Sequence, residues 1–386
     1  MSSPFPKSTS PRSQEAPLLV PSNDFGALWD CARADAMAAF QRVGASGWFI
    51  LGREVSAFEA ALARAWPVPH AVGCGNGLDA IEIGLTCLGL APGTPVLTTP
   101  LSAFATTLAI VRAGGVPWFV DVDASGLIDL DLVEAALRAH RELRWLVPVH
   151  LYGHALDARR LAELKARFEL RVLEDCAQSI GARSRGAPTG LVGQAAATSF
   201  YPTKNLGCLG DGGAVLTSAS ELAERARCLR DYGQKSKYEH ALCGLNSRLD
   251  EVQAAVMRDA MLPRLAEWTE RRRAVAARYR SEIEGTSLEI PPVPDGSESA
   301  CHLFPVMVDD PDALIRHLAG LGIGGGRHYP GIIPDQAAMR GVEARVLGTL
   351  ERARRFAERE VSLPIHPFLG DEHVAHVVAA CQGFTP

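Results

Sequence analysis

One lysine lies among residues that suit covalent chemistry with a carbonyl compound. Residues 199–213 read Ser-Phe-Tyr-Pro-Thr-Lys-Asn-Leu-Gly-Cys-Leu-Gly-Asp-Gly-Gly, so four of the fifteen are glycine and the backbone can turn tightly against a ligand. A lysine that forms a Schiff base needs surroundings that favour its neutral amine, and apolar residues stand on both sides of Lys204. A lone lysine in a loop is more often a solvated charge. Lys204 therefore needs a chemical partner elsewhere in the chain.

An acid that follows a predicted buried strand is the candidate partner. Asp175 comes soon after the apolar run at residues 171–173, and ligand-facing groups collect at the carboxyl ends of the strands in an open parallel sheet. A protonated pyridine nitrogen would keep such a buried carboxylate ionised. Lys204 and Asp175 together are what pyridoxal phosphate needs, one for the Schiff base and one for the ring nitrogen. The alternative for Asp175 alone is a helix N-cap.

A second stretch has the features of a phosphate-binding turn. Residues 71–75 are predicted to form a short strand, and Asn76-Gly77-Leu78-Asp79 leads directly into a helical pattern. Free N–H groups and the helix dipole at such a helix start point at an anion. The alternative is a plain helix start that is capped by Asn76.

The elements that must position these residues follow an alternating pattern. Apolar runs at 95–100, 118–123, 143–151, 171–174, 196–200 and 213–217 are predicted strands, with helical patterns between several of them. This order is typical of an α/β fold with a mostly parallel central sheet covered by helices. Residues 25–66 are predicted to be largely helical, and Pro263 is expected to break a later helix. A smaller α+β lobe is predicted from about residue 287.

Composition excludes several classes of protein. The chain has 386 residues, of which 47% are hydrophobic and 22% charged, as in an ordinary soluble globular protein. A net charge of -5 predicts no binding to nucleic acid or to an acidic membrane surface, and no apolar run approaches the ~20 residues of a membrane span. Nine scattered cysteines without a Cys-x-x-Cys pair predict free thiols in a reducing cytoplasm and no metal site. Residues 1–24 are predicted to be a disordered leader.

From about Phe25 to its C-terminus, the chain resembles the DegT/DnrJ-type sugar-nucleotide aminotransferases. These are pyridoxal phosphate enzymes of the aspartate aminotransferase fold, fold type I. The resemblance rests on six segments in order, which are Trp-Phe-Ile-Leu-Gly-Arg-Glu-Val-Ser-Ala-Phe-Glu at 48–59, Gly-Asn-Gly-Leu-Asp-Ala at 75–80, Glu-Asp-Cys-Ala-Gln-Ser at 174–179, the Lys204 stretch, Gly-Leu-Asn-Ser-Arg-Leu-Asp-Glu at 244–251 and His-Tyr-Pro at 328–330.

The resemblance implies cofactor contacts beyond Lys204 and Asp175. Gln178 would contact the phenolic oxygen of the cofactor, and Ser199 would contact its phosphate. Both have alternatives as ordinary satisfied polar groups. The phosphate would also meet Gly77 and the backbone N–H of Leu78, which stands where the family usually has threonine. Asn246 would reach the phosphate from a neighbouring subunit.

The resemblance also implies a stacked ring and a sugar pocket. The family places an aromatic ring three residues after the proline that is Pro100 here, but the aromatic residue of this chain is Phe104, one position later. A shifted loop would bring Phe104 over the cofactor, or nothing stacks there. The substrate residues implied are Trp48, Arg248, His328 and Tyr329. Trp48 has the alternative of a core anchor, and His328 that of a structural histidine in a glycine-rich turn.

The function implied is a transaminase that takes an amino group from glutamate and gives it to a nucleotide-linked keto-hexose in amino-sugar biosynthesis. The implied assembly is a homodimer with shared active sites. The domains expected are a large pyridoxal phosphate-binding domain at 25–250, then linking helices and a small C-terminal domain at 251–386. The alternatives on the same fold are a sugar dehydratase, in which the family replaces the lysine with histidine, and a non-catalytic regulator. A nicotinamide-dependent dehydrogenase is disfavoured. Its Gly-x-Gly-x-x-Gly motif needs a third glycine three residues after the second, whereas the glycines here alternate at 73, 75 and 77.

Overall fold

A computed structural model describes residues 18–385 of the chain. Its α-helices are α1 (Phe25–Ser46), α2 (Arg53–Ala65), α3 (Gly77–Cys87), α4 (Phe104–Arg112), α5 (Leu130–Ala139), α6 (Ala158–Arg167), α7 (Ser220–Leu229), α8 (Glu251–Val256), α9 (Leu265–Ile283), α10 (Pro311–Gly320), α11 (Glu351–Arg359) and α12 (Asp371–Gly383). Its strands are β1 (His70–Cys74), β2 (Pro95–Thr98), β3 (Val116–Val120), β4 (Trp145–Val147), β5 (Arg171–Asp175), β6 (Arg183–Ser184), β7 (Ala187–Pro188), β8 (Ala195–Ser199), β9 (Gly213–Thr217), β10 (Gln234–Ser236), β11 (Glu239–His240), β12 (Ser297–Glu298), β13 (Phe304–Met307), β14 (Arg345–Leu347) and β15 (Glu360–Leu363).

The central sheet has eight strands in the order β1-β9-β8-β5-β4-β2-β3-β14. Every neighbouring pair from β8 to β14 is parallel, and β9 runs antiparallel to both β1 and β8. The mostly parallel sheet predicted from the alternating pattern is confirmed. The edge strand β14 comes from the C-terminal third of the chain. Because β5 and β8 are parallel neighbours, their carboxyl ends bring Asp175 and Ser199 to the same edge of the sheet.

The loop between α1 and α2 is held by a carboxylate from far along the chain. The N-cap residue of α2, Gly52, has no side chain to satisfy the first N–H groups of the helix. The Glu251 carboxylate accepts from the N–H groups of Gly52, Glu54 and Val55 at 2.8–2.9 Å. The segment that begins α8 is thereby fixed against residues 48–52. As predicted, the helix that follows is broken near Pro263, where a π turn and a 3-10 turn separate α8 from α9.

The C-terminal lobe has its own hydrophobic core. Strands β13 and β15 pair antiparallel, and apolar residues of α9, α10 and α12 pack against them. The predicted disordered leader at 1–24 lies mostly outside the described residues, but residues 18–24 differ from the prediction. The backbone of Val20 pairs with that of Ile323, and the Val20 side chain is fully buried in the core of the C-terminal lobe. None of the described helices is both long enough and apolar enough to cross a membrane.

Candidate active site

Lys204 lies in a tight turn beyond the end of β8. The turn closes on itself, because the N–H of Lys204 donates to the carbonyl of Tyr201 at 2.8 Å and the N–H of Cys208 donates to the carbonyl of Phe200 at 2.8 Å. Gly207 has no room for a side chain, since a Cβ there would lie 2.5 Å from the carbonyl oxygen of Pro202. Burial lowers the pKa of the Lys204 amine to about 8, against the opposing pull of Asp175. A sizeable neutral fraction, which a nucleophilic amine requires, is therefore present near neutral pH.

Asp175 is the last residue of β5, and its carboxylate is buried. One carboxylate oxygen accepts from the hydroxyl of Thr106 at 2.7 Å, and the other accepts from the N–H of Ala177 at 3.0 Å. Burial raises the pKa of Asp175, while these hydrogen bonds and the charge of Lys204 act in the opposite direction. A carboxylate can accept more than these two hydrogen bonds, so Asp175 can still accept one from a bound cation. The positive charge of that cation would favour the ionised carboxylate.

The start of α3, which is predicted to bind phosphate, has backbone N–H groups that are not used within the helix. The side chain of Asn76 caps α3 by accepting from the N–H of Asp79 at 2.8 Å, so the capping role and the anion site coexist. Within the described chain, the N–H groups of Gly77 and Leu78 have no acceptor. The hydroxyl-bearing side chain of Ser199 stands directly beside Gly77, where an added Cβ would lie 2.6 Å from the Cβ of Ser199. Two free amide donors and one hydroxyl therefore face the same small space.

Gln178 is buried close to Asp175, and its amide contacts protein groups on both sides. Its carbonyl oxygen accepts from the N–H of Tyr152 at 2.7 Å, and its amide nitrogen donates to the hydroxyl of Tyr329 at 3.3 Å. Burial and the charge of Asp175 raise the pKa of Tyr329 to about 12, so its hydroxyl stays protonated. The structure thus brings Gln178 and Tyr329 of the predicted set next to Asp175.

A cavity of about 330 Å³ opens beside Lys204. Its wall is shared between the two lobes and the N-terminal segment. Residues that line it include Asn23, Tyr201, Lys204, His302, His328 and Ser362. The predicted His328 therefore lies in the same cavity as Lys204. Burial and the positive charge of Lys204 lower the pKa of His328 to about 4, so its imidazole is neutral at neutral pH.

Three other predicted residues lie on the surface of the chain, away from the cavity wall. Trp48 is 62% exposed, and its indole nitrogen donates to the carbonyl of Ile50 at 2.6 Å. Asn246 is exposed and pairs with Asp231, and the guanidinium of Arg248 donates to the carboxylate of Asp231 at 3.0 Å. Their predicted contacts with cofactor and sugar stay predictions.

Phe104 begins α4 and is half-buried against the core around β2, β3 and β4. It lies two residues before Thr106, which bonds Asp175. This position near the cluster is compatible with stacking over a ring held by Asp175, and the stacking stays a prediction.

Two residues of this site were missed by sequence reasoning. Thr106 holds Asp175, and the only sequence signal was a hydroxyl two positions after the aromatic residue of the β2–α4 turn. His302 is buried beside Lys204, and its Nδ1 lies 3.1 Å from the side-chain oxygen of Asn205. The available signal was an amide side chain directly after Lys204, at Asn205.

The residues present fit pyridoxal phosphate. A partly neutral amine at Lys204 suits its aldehyde, and the buried carboxylate of Asp175 with unused acceptor capacity suits a protonated ring nitrogen. The free N–H groups of Gly77 and Leu78 beside Ser199 suit its phosphate. Each functional group of the cofactor thus has a matching protein group at this edge of the sheet.

A methyl group at position 77 is expected to weaken the binding of pyridoxal phosphate. In Gly77→Ala the new Cβ lies 2.6 Å from the Cβ of Ser199, so Ser199 must move out of the proposed phosphate site. Overpacking of this kind costs about 1–3 kcal/mol, or roughly 5- to 150-fold in Kd. Fluorescence titration of the apoprotein with pyridoxal phosphate measures the change. The control is Gly44→Ala, because nothing lies within 4 Å of a Cβ there; equal affinities for the two variants would contradict the phosphate assignment.

Comparison with known proteins identifies the family. The profile of the DegT/DnrJ/EryC1/StrS aminotransferase family matches residues 30–382. The chain is 42% identical to the dTDP-3-amino-3,4,6-trideoxy-alpha-D-glucose transaminase of Streptomyces venezuelae, over 94% of this chain and 95% of that protein. It is 39% identical to a pleiotropic regulatory protein of Geobacillus stearothermophilus, over 95% of this chain and 98% of that protein.

A solved structure agrees with the sequence comparisons. The X-ray structure of S. venezuelae DesV in complex with a ketimine intermediate matches this fold with a TM-score of 0.90 and 42% identity, and the match covers 94% of this chain and 98% of that one. The predicted fold of the pyridoxal phosphate-dependent aminotransferases is confirmed by this likeness. The chain belongs to the DegT/DnrJ/EryC1/StrS aminotransferase family.

Proposed function

We propose that this chain is a pyridoxal phosphate-dependent aminotransferase that moves the amino group of glutamate to a nucleotide-linked keto-hexose in amino-sugar biosynthesis. The observation that carries the proposal is the cluster at the sheet edge, where a buried amine at Lys204 and a buried carboxylate at Asp175 lie near the free start of α3. Membership of the family and 42% identity to a sugar transaminase support it.

The chemistry follows from what the protein groups can do. Pyridoxal phosphate, when bound, supplies an electron sink for bond changes at the carbon that carries the amino group. Lys204 Nζ would hold the cofactor and, once released, would take the proton from the α carbon of glutamate, a role that its lowered pKa favours. Asp175, which accepts a hydrogen bond from Thr106, would keep a proton at the ring nitrogen. The α3 N-terminus and Ser199 would hold the phosphate, and Gln178 would orient the ring. Because both half-reactions use one site, 2-oxoglutarate leaves before the keto-sugar enters.

The identity of the keto-sugar is tested with protein that has first reacted with glutamate and so carries the amino group. The name of the S. venezuelae relative has the amino group at C3, so we propose a keto group at C3 of the hexose. A panel of dTDP- and UDP-linked 3-keto and 4-keto hexoses is added in single turnover, and the aminated sugar is measured by mass spectrometry. Formation of a 3-amino sugar is expected. Conversion of glutamate with no reaction of any keto-sugar would contradict the acceptor class.

A regulatory role is the second candidate, because one relative carries a regulatory name. Retention of Lys204, Asp175, Gln178, Ser199 and Asn246 in this chain disfavours a purely non-catalytic role. The same glutamate half-reaction separates the two, since a regulator without transaminase activity forms no 2-oxoglutarate. The presence of Lys204 also disfavours the dehydratase alternative.

A second copy of this chain is the proposed partner. Helix α1 buries small residues against the core and leaves four large apolar side chains exposed along its length, Phe25, Trp29, Met37 and Phe40. This apolar surface is followed along the chain by the exposed Trp48-Phe49-Ile50 segment, and Ile50 pairs with Asp250 next to the loop that carries Asn246. Contiguous apolar surface of this kind marks protein interfaces. We propose that it forms a homodimer in which Asn246 and Arg248 face the partner's cofactor site.

The double substitution Trp29→Glu/Phe40→Glu is expected to dissociate this dimer. Two carboxylates would be buried without partners in the interface, at a cost of several kcal/mol. Sedimentation velocity should show the wild type at twice the 41.3 kDa chain mass and the variant at the chain mass. Leu132→Glu, which changes an exposed apolar residue of α5, is the matched control and should stay dimeric. A wild type that sediments as a monomer would overturn the proposal.

We also propose the domain division expected from the sequence, with a cofactor-binding domain at 25–250 and linking helices with a small domain at 251–386. The proposed location is the cytoplasm. Separate cores around the central sheet and around β13 and β15 support two domains, while β14 and α11 of the second segment pack with the central sheet. All nine cysteines fall among the described residues and are free, which is typical of a reducing cytoplasm.

A further inference from the structure

A buried acid, a serine and a histidine form a chain of hydrogen bonds behind the cavity wall. Glu360 and Ser362 are two residues apart on β15, so their side chains lie on the same face of the strand. One oxygen of the Glu360 carboxylate accepts from the hydroxyl of Ser362, and the other accepts from the backbone N–H of His328 at 2.6 Å. The hydroxyl oxygen of Ser362 lies 3.0 Å from Nδ1 of His328. Only His328 and Ser362 of these three line the cavity beside Lys204.

The proton positions in this chain follow from the donor inventory. An ionised carboxylate only accepts, so Ser362 must give its single proton to Glu360. Ser362 can then only accept from His328, which places the imidazole proton on Nδ1. Nε2 is left with its lone pair, since within the described chain the imidazole forms its hydrogen bond through Nδ1. A hydrogen-bond acceptor therefore faces the cavity.

This order of protons requires the ionised form of Glu360. Burial raises the pKa of Glu360 to about 7, while its hydrogen bonds and the charge of Arg327 oppose this, so the carboxylate form dominates at alkaline pH. The hydroxyl groups of Tyr152 and Tyr329 also feel the charge of Glu360 and stay protonated, because burial raises the pKa of both. His328 is neutral, as described above.

His302 presents the same kind of nitrogen to the cavity. The amide nitrogen of Asn205 donates to the carbonyl of Ala300 at 2.8 Å, so its oxygen is the acceptor that faces Nδ1 of His302. The proton of His302 is therefore also on Nδ1. Two unprotonated imidazole nitrogens in one cavity suit hydroxyl donors and offer no proton to the oxygens of a phosphate group.

We propose that Glu360 and Ser362 are positioning residues that fix His328 with a bare Nε2, and that this nitrogen accepts a hydrogen bond from a hydroxyl group of the acceptor sugar. The inference rests on the proposed function for the identity of the sugar. It assigns a role to two residues that do not themselves touch the cofactor. It also places the sugar ring, and not the nucleotide phosphates, beside His302 and His328.

The test reverses the direction of the hydrogen bonds. In Glu360→Gln the amide oxygen stays with the N–H of His328, so the amide NH₂ faces Ser362 and the hydroxyl turns to Nδ1. The imidazole proton then moves to Nε2. ¹⁵N spectra of histidine-labelled protein, recorded at pH 8 and assigned with His328→Gln, should show a bare Nε2 in the wild type and a protonated one in the variant. Ser362→Ala should also lose the fixed tautomer.

The kinetic readout separates positioning from a general loss of structure. For Glu360→Gln and Ser362→Ala we expect the KM of the keto-sugar to rise about tenfold or more, with the glutamate half-reaction unchanged. The matched control is Glu358→Gln, an exposed residue two positions earlier, which should resemble the wild type in both. An unchanged His328 tautomer in Glu360→Gln, or an equal loss in both half-reactions, would overturn the proposal. If the wild type does not convert glutamate, the proposed function fails and with it the sugar contact, while the spectra still decide whether Glu360 sets the tautomer.

Discussion

Lys204→Ala is expected to lose the visible absorption of the lysine-linked cofactor and at least about 10³-fold in the rate of the glutamate half-reaction. Two functions disappear together, because the same amine holds the cofactor and moves the proton from the α carbon of glutamate. The amine is suited to both by burial, which lowers its pKa to about 8. Absorption spectra and single-turnover formation of 2-oxoglutarate measure the loss.

Two comparisons make this result specific. Lys204→Arg keeps a positive charge, but a guanidinium stays protonated and cannot attack an aldehyde, so it should be as inactive as the alanine variant. Both variants should still bind pyridoxal phosphate without a covalent bond, because Ser199 and the start of α3 are untouched. A variant that keeps a tenth of the wild-type rate would be incompatible with the role given to Lys204.

Asp175→Asn is expected to lower kcat with glutamate by roughly 10²–10³-fold. Asparagine fits the same space, with its oxygen accepting from the N–H of Ala177 and its NH₂ donating to the Thr106 hydroxyl, which can turn its proton to Ser102. It carries no charge to hold a proton on the ring nitrogen. Because burial already disfavours the carboxylate, the apoprotein should melt at an equal or higher temperature in this variant. Lower activity without lower stability is the signature of a functional group and not of a structural one.

Thr106→Val provides the matched comparison for Asp175→Asn. It removes one hydrogen bond from the carboxylate but leaves the charge, so we expect a loss of about tenfold or less. Steady-state kinetics at saturating pyridoxal phosphate compares the two. If Thr106→Val lost as much activity as Asp175→Asn, geometry and not charge would be the property that matters at this position.

The sequence predicted those parts of the site that depend on strand ends. Asp175 was predicted from the alternating pattern because it follows an apolar run, whereas Ser199 was implied by the family resemblance, and the structure shows that their strands are parallel neighbours. The start of α3 was predicted for a similar reason, since a strand and a glycine turn lead into it. Local pattern suffices where a residue lies at the end of an element whose neighbours are also predictable.

The parts that were missed depend on packing between distant segments. His302 comes to Lys204 only because the C-terminal lobe folds back over the large sheet, and nothing near position 302 indicates this. Val20 was assigned to a disordered leader, yet it ends a short apolar run at 18–20 and is buried beside Ile323. Glu251 reads as an ordinary helical acid, but it caps α2 across the chain. Long-range contacts of single residues leave little trace in composition or periodicity.

The most direct test of the central claim is to trap the cofactor on the protein and find where it is attached. The chain has five lysines, at positions 7, 165, 204, 235 and 237, so the attachment site is resolved by peptide mass spectrometry after borohydride reduction of the wild-type protein loaded with pyridoxal phosphate. We predict one stable adduct, on Lys204, which is absent when glutamate is added before the reduction. An adduct on another lysine, or none at all, would contradict the site described here.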